Sequence, residues 1–342
     1  MIRASLLPAL AARLGRRAET YLIAVLIGLA AILTSASGAF LTLENAYDIL
    51  RNYAFLGILA LGELVVLVSG GIDVSFMATA TVAQYLMGII LTRYGVDSLL
   101  VAIVAPLPVG AALGALNALL ITATRVHPVI VTIATLNVYY GGLVFLTGGS
   151  WIYNLPPSFL RFSQLKVLAS TGASGTAVGL SVLAVLWGLV AVITWFILNY
   201  LPIGRKVYAL GGNAEGARRA GVNVFAVQLF VYTYMGALAG LAGFVQAHLT
   251  QLIQPNSMVG RELDVLAAAV LGGASVFGGV GTVAGTVLGV LTVAVIRNGL
   301  ILMRVSSYWH EVVIGLVLAA AAAITAYQAK RGAARLVKTD AA

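Results

Sequence analysis

Apolar runs of membrane-crossing length follow one another along nearly the whole chain, and nothing constrains its fold more. The stretches 21–41, 98–121, 128–148, 177–200, 225–247, 280–303 and 308–327 each approach or exceed the roughly 20 residues that one helix needs to cross a hydrocarbon core. Of the 342 residues, 61% are hydrophobic and 9% charged, against about a quarter charged in a water-soluble globule. In lipid the backbone amides must be paired within the protein, which favours helices. The pattern predicts an all-α integral membrane protein, a polytopic bundle of about ten membrane elements. One transmembrane domain over 20–328 lies between an N-terminal tail, 1–19, and a C-terminal tail, 329–342.

Two of these elements read as broken. The apolar stretch 53–93 is about twice the length of one span and is interrupted at Ser69-Gly70-Gly71-Ile72-Asp73. The paired glycines let the chain turn, and Asp73 can cap the helix that follows or face a cargo. A shorter piece at 262–276 ends in Leu271-Gly272-Gly273, and 67–76 pairs weakly with 269–278 as an internal repeat. Gly-interrupted pairs of this kind point to a translocation path in transporters. Glycines also recur every fourth residue at Gly281, Gly285 and Gly289 and at Gly236 and Gly240, a spacing that lets helices approach closely in lipid. They suit packing within the chain or an interface with a second copy.

The net charge of +9 follows topology. With the N-terminus inside, thirteen of the twenty Lys and Arg residues fall in cytoplasmic segments, six fall outside and Arg297 lies within a span. This agrees with the positive-inside rule, puts both termini in the cytoplasm and explains most of the basicity without nucleic acid. The basic 1–19 segment also admits a secretory signal reading, but its length favours a retained first span. Without cysteine, no disulfide or thiolate chemistry arises, and no metal site is indicated. Gly279-Val-Gly281-Thr-Val-Ala284 mimics a dinucleotide fingerprint but sits in a membrane-length run, and His310-Glu311 lacks the second histidine of a zinc protease. Ser163-x-x-Lys166 lacks its companion motifs. There is no phosphate-binding G-x-x-x-x-G-K-[ST] loop, so energy for uphill transport must come from a partner or a gradient.

One polar, doubly basic segment, 201–224, interrupts the apolar runs. It reads as a loop holding one very short helix. Pro202 ends the run before it, Asn213 is a favoured N-cap, Glu215 and the pair Arg218 and Arg219 suit the two ends of the helix dipole, and Gly221 is placed to cap the C-terminus. Two turns of helix do not hold alone in water, so the residues fit either a place where a partner docks or a cytoplasmic loop made basic only to orient the chain in the membrane.

The run Gly204 to Val222, with Gly212, Asn213, Glu215, Ala217, Arg218, Arg219 and Gly221, resembles the cytoplasmic coupling segment of permease subunits of bacterial sugar ABC importers, of the ribose, xylose and galactose type. Gly216 stands where that family usually has alanine, and Ala220 where it usually has serine. The resemblance extends to Gly70-Gly71-Ile72-Asp73-Val74-Ser75, to Asn117-Ala-Leu-Leu with Pro128 and Thr132-Ile-Ala-Thr135, to Thr147-Gly148-Gly149, and to Leu271-Gly272-Gly273 with Gly278-Gly279. Phe76, Met77 and Ala78 depart from the family's usual serine or glycine after Val74-Ser75.

The resemblance implies import of a small neutral solute, most simply a monosaccharide, by a non-hydrolytic subunit that carries no cofactor. ATP and Mg²⁺ would sit on a cytoplasmic ATPase. A second permease copy or paralogue, a periplasmic or extracellular sugar-binding protein and the lipid of a bacterial inner membrane complete the expected partners. Branched-chain amino acids or a small hydroxylated signal remain alternative cargoes. A different class, an ion- or proton-coupled secondary transporter, would give Glu63 and Asp73 the coupling role. Candidate path residues are Glu63, Gly70, Gly71, Asp73, Asn117, Thr132, Thr135, Asn137, Gly272 and Gly273, with Gln246 as a further polar group; interhelical hydrogen bonding accounts for such groups equally well.

Overall fold

The structure, a computed structural model, describes residues 6–162, 164–171, 177–306, 308–317 and 319. The C-terminal tail, 329–342, and the first five residues of the N-terminal tail lie outside the described residues.

The chain runs through α1 (Leu6–Ala36), α2 (Leu43–Asn52), α3 (Ala54–Val68), α4 (Phe76–Arg93), α5 (Leu99–Val104), α6 (Pro106–Thr124), α7 (Pro128–Thr147) and α8 (Pro157–Phe162). A hairpin of β1 (Lys166–Thr171) and β2 (Ala177–Ser181) follows. Then come α9 (Val182–Tyr200), α10 (Pro202–Gly212), α11 (Ala214–Arg219), α12 (Val224–Thr250), α13 (Glu262–Leu271) and α14 (Val283–Leu302), and residues 308–317 are helical. Six helical stretches among the described residues are long and apolar enough to cross a membrane: α1 from Glu19, α5 with α6, α7, α9, α12 and α14. The pair α2 and α3, bent by 51°, makes a seventh if taken together.

The expectation of an all-helical chain needs one correction. Between the apolar runs 128–148 and 177–200 the chain supplies β1, which pairs antiparallel in the register Lys166↔Ser181 with β2 at the start of the second run, and β2 lies beside α2. Val, Leu and Thr at these positions favour extended backbone.

At the centre stands α3, every residue of which is buried. A helix apolar on all sides belongs inside other helices, and α9, α12, α13 and α14 enclose it. Gly57 makes room for the Trp187 ring of α9, and Gly62 for the Met235 thioether of α12. The tightest pairing is α6 against α12, where Gly110 and Gly114 face Gly236 and Gly240, and a Cβ on any of them would run into the opposite backbone. Gly285 and Gly289 of α14 lie in the same way on Gly272, the C-cap of α13, and on Ala268 within it. Both glycine stripes are thus spent on packing within the chain, which overturns their reading as an interface with a second copy. Gly281 precedes α14 and is not part of its stripe.

Candidate functional site

The segment 201–224 is more ordered than a loop with one short helix. Pro202 ends α9 but opens α10 at its first turn, where its fixed φ and missing N–H cost nothing. Gly204, Val207 and Leu210 bury one face of α10. A Cβ on Gly204 would strike the carbonyls of Ile197 and Leu198, so the α9–α10 corner requires glycine. At Asn213 the chain bends again. The Asn213 side-chain oxygen accepts from Gly216 N at 2.8 Å, confirming the N-cap.

The short helix α11 closes with the Schellman pair Gly221 N to Arg218 O and Val222 N to Ala217 O, both 3.0 Å. Gly221, at φ 82°, is the residue after the C-cap, which is Ala220 itself. Ala217 points inward, while Arg218 and Arg219 are exposed. Arg219 pairs with exposed Glu215 at 3.0 Å. Exposed pairs of this kind contribute little to stability, and the basic end of α11 faces outward, available to a partner.

Directly behind this elbow, three separate parts of the chain meet on glycine. Gly211, at the end of α10, sits against the carbonyl of Val68 and the amide of Gly279, with no space for a Cβ. Gly278 and Gly279 in turn lie on Gly70, Gly211 and Gly212. Gly279 N donates to Val68 O at 2.9 Å. The Tyr208 hydroxyl donates to Gly281 O at 2.7 Å. Burial pushes its phenol up to about 12, so it stays a donor through the physiological pH range. The elbow therefore rests on both helix breaks at once, the one after α3 and the one after α13.

The first break encloses a buried polar knot. Asp73 Oδ1 accepts from Ser75 N and from Ser75 Oγ, both at 2.7 Å. Glu63 Oε1 accepts from Asp73 N at 3.3 Å. The Asn117 amide of α6 donates to Ser75 Oγ at 2.7 Å, and the Tyr139 hydroxyl of α7 donates to Asn117 Oδ1 at 3.1 Å. Thr132 Oγ1 accepts from Val74 N and donates to Ile72 O, both at 3.3 Å. Four elements, α3, α4, α6 and α7, are thus fastened to one turn.

Of the residues singled out from sequence, Glu63, Asp73, Asn117 and Thr132 meet here. Thr135 is buried nearby, its hydroxyl turned to Thr132 O. Asn137 is not brought in; it is exposed on α7 and bonds back to Ile133 O. Gly272 and Gly273 lie at the second break. Ser75, Tyr139 and Tyr232 were missed. Tyr232 sits with its hydroxyl against Gly71, and no local pattern marks it.

The geometry is that of a membrane-competent helical bundle with two broken helices, a glycine junction and a capped basic elbow, and similarity to known proteins gives its class, a multi-pass transport permease. The chain belongs to the family described as "Branched-chain amino acid transport system / permease component", which it matches over residues 45–322. It is 34% identical to the ribose import permease protein of Escherichia coli K12 over 301 residues, covering 87% of this chain and 90% of that one. It is 32% identical to the autoinducer 2 import system permease protein of Photorhabdus laumondii over 304 residues, 89% and 87% of the two chains. With the D-allose transport system permease protein of Escherichia coli K12 it shares 32% over 285 residues, 83% and 84% of the two. No solved structure matches. The resemblance drawn from the 204–222 run to sugar importer permeases therefore holds along most of the chain.

Proposed function

We propose that this chain is the membrane-spanning subunit of an ATP-driven importer that carries a small neutral hydroxylated solute, most simply a monosaccharide, into the cytoplasm. The reading places it in the bacterial inner membrane with ten membrane elements and both tails in the cytoplasm. A cytoplasmic ATPase holds ATP and Mg²⁺, a solute-binding protein delivers cargo from outside, and a second copy or paralogue completes the core. Relatives named for ribose, D-allose and autoinducer 2 support a hydroxylated cargo over a branched-chain amino acid.

The observation that carries this reading is the elbow. Its last element, α11, is two turns long, capped at both ends and basic on its exposed side, and the elbow's α10 end rests on the two helix breaks. A motor that grips α11 would displace α10 against the first break and, through Tyr208 and the Gly211–Gly279 contact, carry the second break with it. The backbone contacts leave no compressible side chain between them, so small displacements are transmitted.

Replacing Arg218 and Arg219 with glutamate tests it in a reconstituted complex. The expected result is insertion and assembly as before, with ATP hydrolysis continuing and uptake falling at least tenfold. Coupling as in the unaltered complex would overturn the docking role. Uphill uptake by this chain alone, without nucleotide, would overturn the importer reading.

A further inference from the structure

The bundle holds a second polar assembly, far from the elbow. Gln246 lies 22 residues into α12 from Val224, a rise of about 33 Å along the helix, so it stands at the opposite end of the bundle from α11. A cavity of about 260 Å³ opens beside it, lined by Asn52, Tyr53, Arg261, Arg297, Asn298 and His310 among others. These residues come from α2, the α2–α3 corner, the start of α13, α14 and the 308–317 helix.

Their chemistry is that of a site for hydroxyl groups. Gln246 is 9% exposed, and its amide makes no hydrogen bond with the described residues. Arg297 Nη2 donates to both oxygens of Asp264 at 3.0 Å and to Glu311 at 3.1 Å, which anchors that end of the guanidinium. Its Nε is buried and has no partner among the described residues. Asn298 is oriented by a reciprocal amide pair with Asn45, at 2.8 and 3.1 Å. Charged and amide groups in a membrane bundle need a reason, and an interhelical tie explains Arg297 with Asp264 but not the idle Gln246 amide.

Charge selects the ligand. Arg297 and Arg261 are matched by Asp264 and Glu311, leaving no surplus for an anion. Fixed planar donors and acceptors beside a Tyr53 ring suit a neutral polyol. The volume lies just under the roughly 300 Å³ at which pockets begin to hold drug-sized ligands, which fits one sugar ring. We propose that this cavity is a solute-holding site on the membrane face opposite the elbow, taking a neutral monosaccharide-sized polyol. The proposal rests on the importer reading for its purpose but not for its test.

The chain has no cysteine, so a single thiol introduced as Asn52→Cys, or separately as His310→Cys, reports on the cavity in membranes holding the full complex. D-ribose or D-allose at saturating concentration is expected to slow alkylation by an impermeant maleimide at least fivefold at both positions. L-leucine and D-gluconate should leave the rate unchanged, and Gln246→Leu should abolish the protection. Tyr53→Leu serves as the second variant should Gln246→Leu fail to insert. Unchanged rates with both sugars, equal slowing by gluconate, or protection that survives both variants would each overturn the site. A complex that imports with ATP yet shows no protection loses this site alone. Protection in a chain whose uptake ignores ATP loses the importer reading alone.

Discussion

The two helix breaks end their helices in the same way and differ in almost everything else. After α3, Gly70 N bonds Leu67 O and Gly71 N bonds Val66 O; after α13, Gly273 N bonds Val270 O and Ala274 N bonds Ala269 O. Both are Schellman closures with a left-handed glycine, Gly70 at φ 85° and Gly273 at φ 90°. Beyond that point the first break is tied by carboxylates, a serine, an asparagine and a threonine to α6 and α7. The second is held by Ser275 and glycine backbone, with Phe277 left 94% exposed. One break is a fixed anchor and the other is lightly held, yet both touch the elbow. If the elbow moves, the second is the one free to follow.

The largest difference should appear when each break loses its central polar side chain. Asp73→Ala strips the acceptor from two buried donors and breaks the chain of bonds to Asn117 and Tyr139. A loss of about 3 kcal/mol is expected, at roughly 1 to 3 kcal/mol for each buried group left unpaired. Ser275→Ala removes one bond, from Phe277 N at 3.1 Å in an exposed loop, and should cost less than about 1 kcal/mol. Thermal melting of the extracted complex measures both, and equal losses would erase the distinction between anchor and follower.

A smaller effect tests what the breaks share. Alanine at a left-handed position costs roughly 1 to 2 kcal/mol, so Gly70→Ala and Gly273→Ala should both destabilise by about that amount. At Gly70 the added Cβ would lie 3.4 Å from the Gly211 Cα, an ordinary contact, so the left-handed backbone sets the cost there. A Gly273→Ala protein with unchanged melting would show that the second closure is not held in this conformation.

Much of this was legible in sequence because lipid leaves few options. Run length gave the six long apolar helices among the described residues, the run 308–327 lying partly outside them, and glycine pairs marked both breaks. Asn213 with Arg218 and Arg219 marked α11 by capping and dipole logic. The repeat was read one residue out of register: pairing Gly70 with Gly272 aligns the doublets, whereas the closures pair Gly70 with Gly273 and Gly71 with Ala274. A Schellman closure asks for one left-handed residue, not two glycines, so the second glycine misled. α10 was hidden because Pro202 reads as a stop and, at a first turn, is also a start. The groups that extend the Asp73 knot come from far along the chain, Asn117 bonding Ser75 from 42 residues away and Tyr139 bonding Asn117 from a further 22, and no spacing rule reaches that far. Asn137 carries the same chemistry on the same helix as Thr132 and Thr135 but faces outward, since positions two and five residues along a 3.6-residue period lie on other sides.

Glu63 is the finest test of the anchor. It is wholly buried in α3, with Oε1 accepting from Asp73 N at 3.3 Å and Oε2 without a partner among the described residues. Glu63→Gln keeps the volume and leaves an amide oxygen to accept from Asp73 N, while the idle oxygen becomes an equally idle amide NH2 group. The two losses nearly cancel, so a stability change within about 1 kcal/mol is expected, with ATP-driven uptake within twofold of the unaltered complex. An anchor needs only the acceptor, which glutamine supplies. A proton- or cation-coupled transporter would need the ionisable group itself. Uptake lost more than tenfold at unchanged melting temperature, together with a lost dependence on the proton gradient, would make Glu63 a coupling group, and the first break would then be a moving part and not the fixed one.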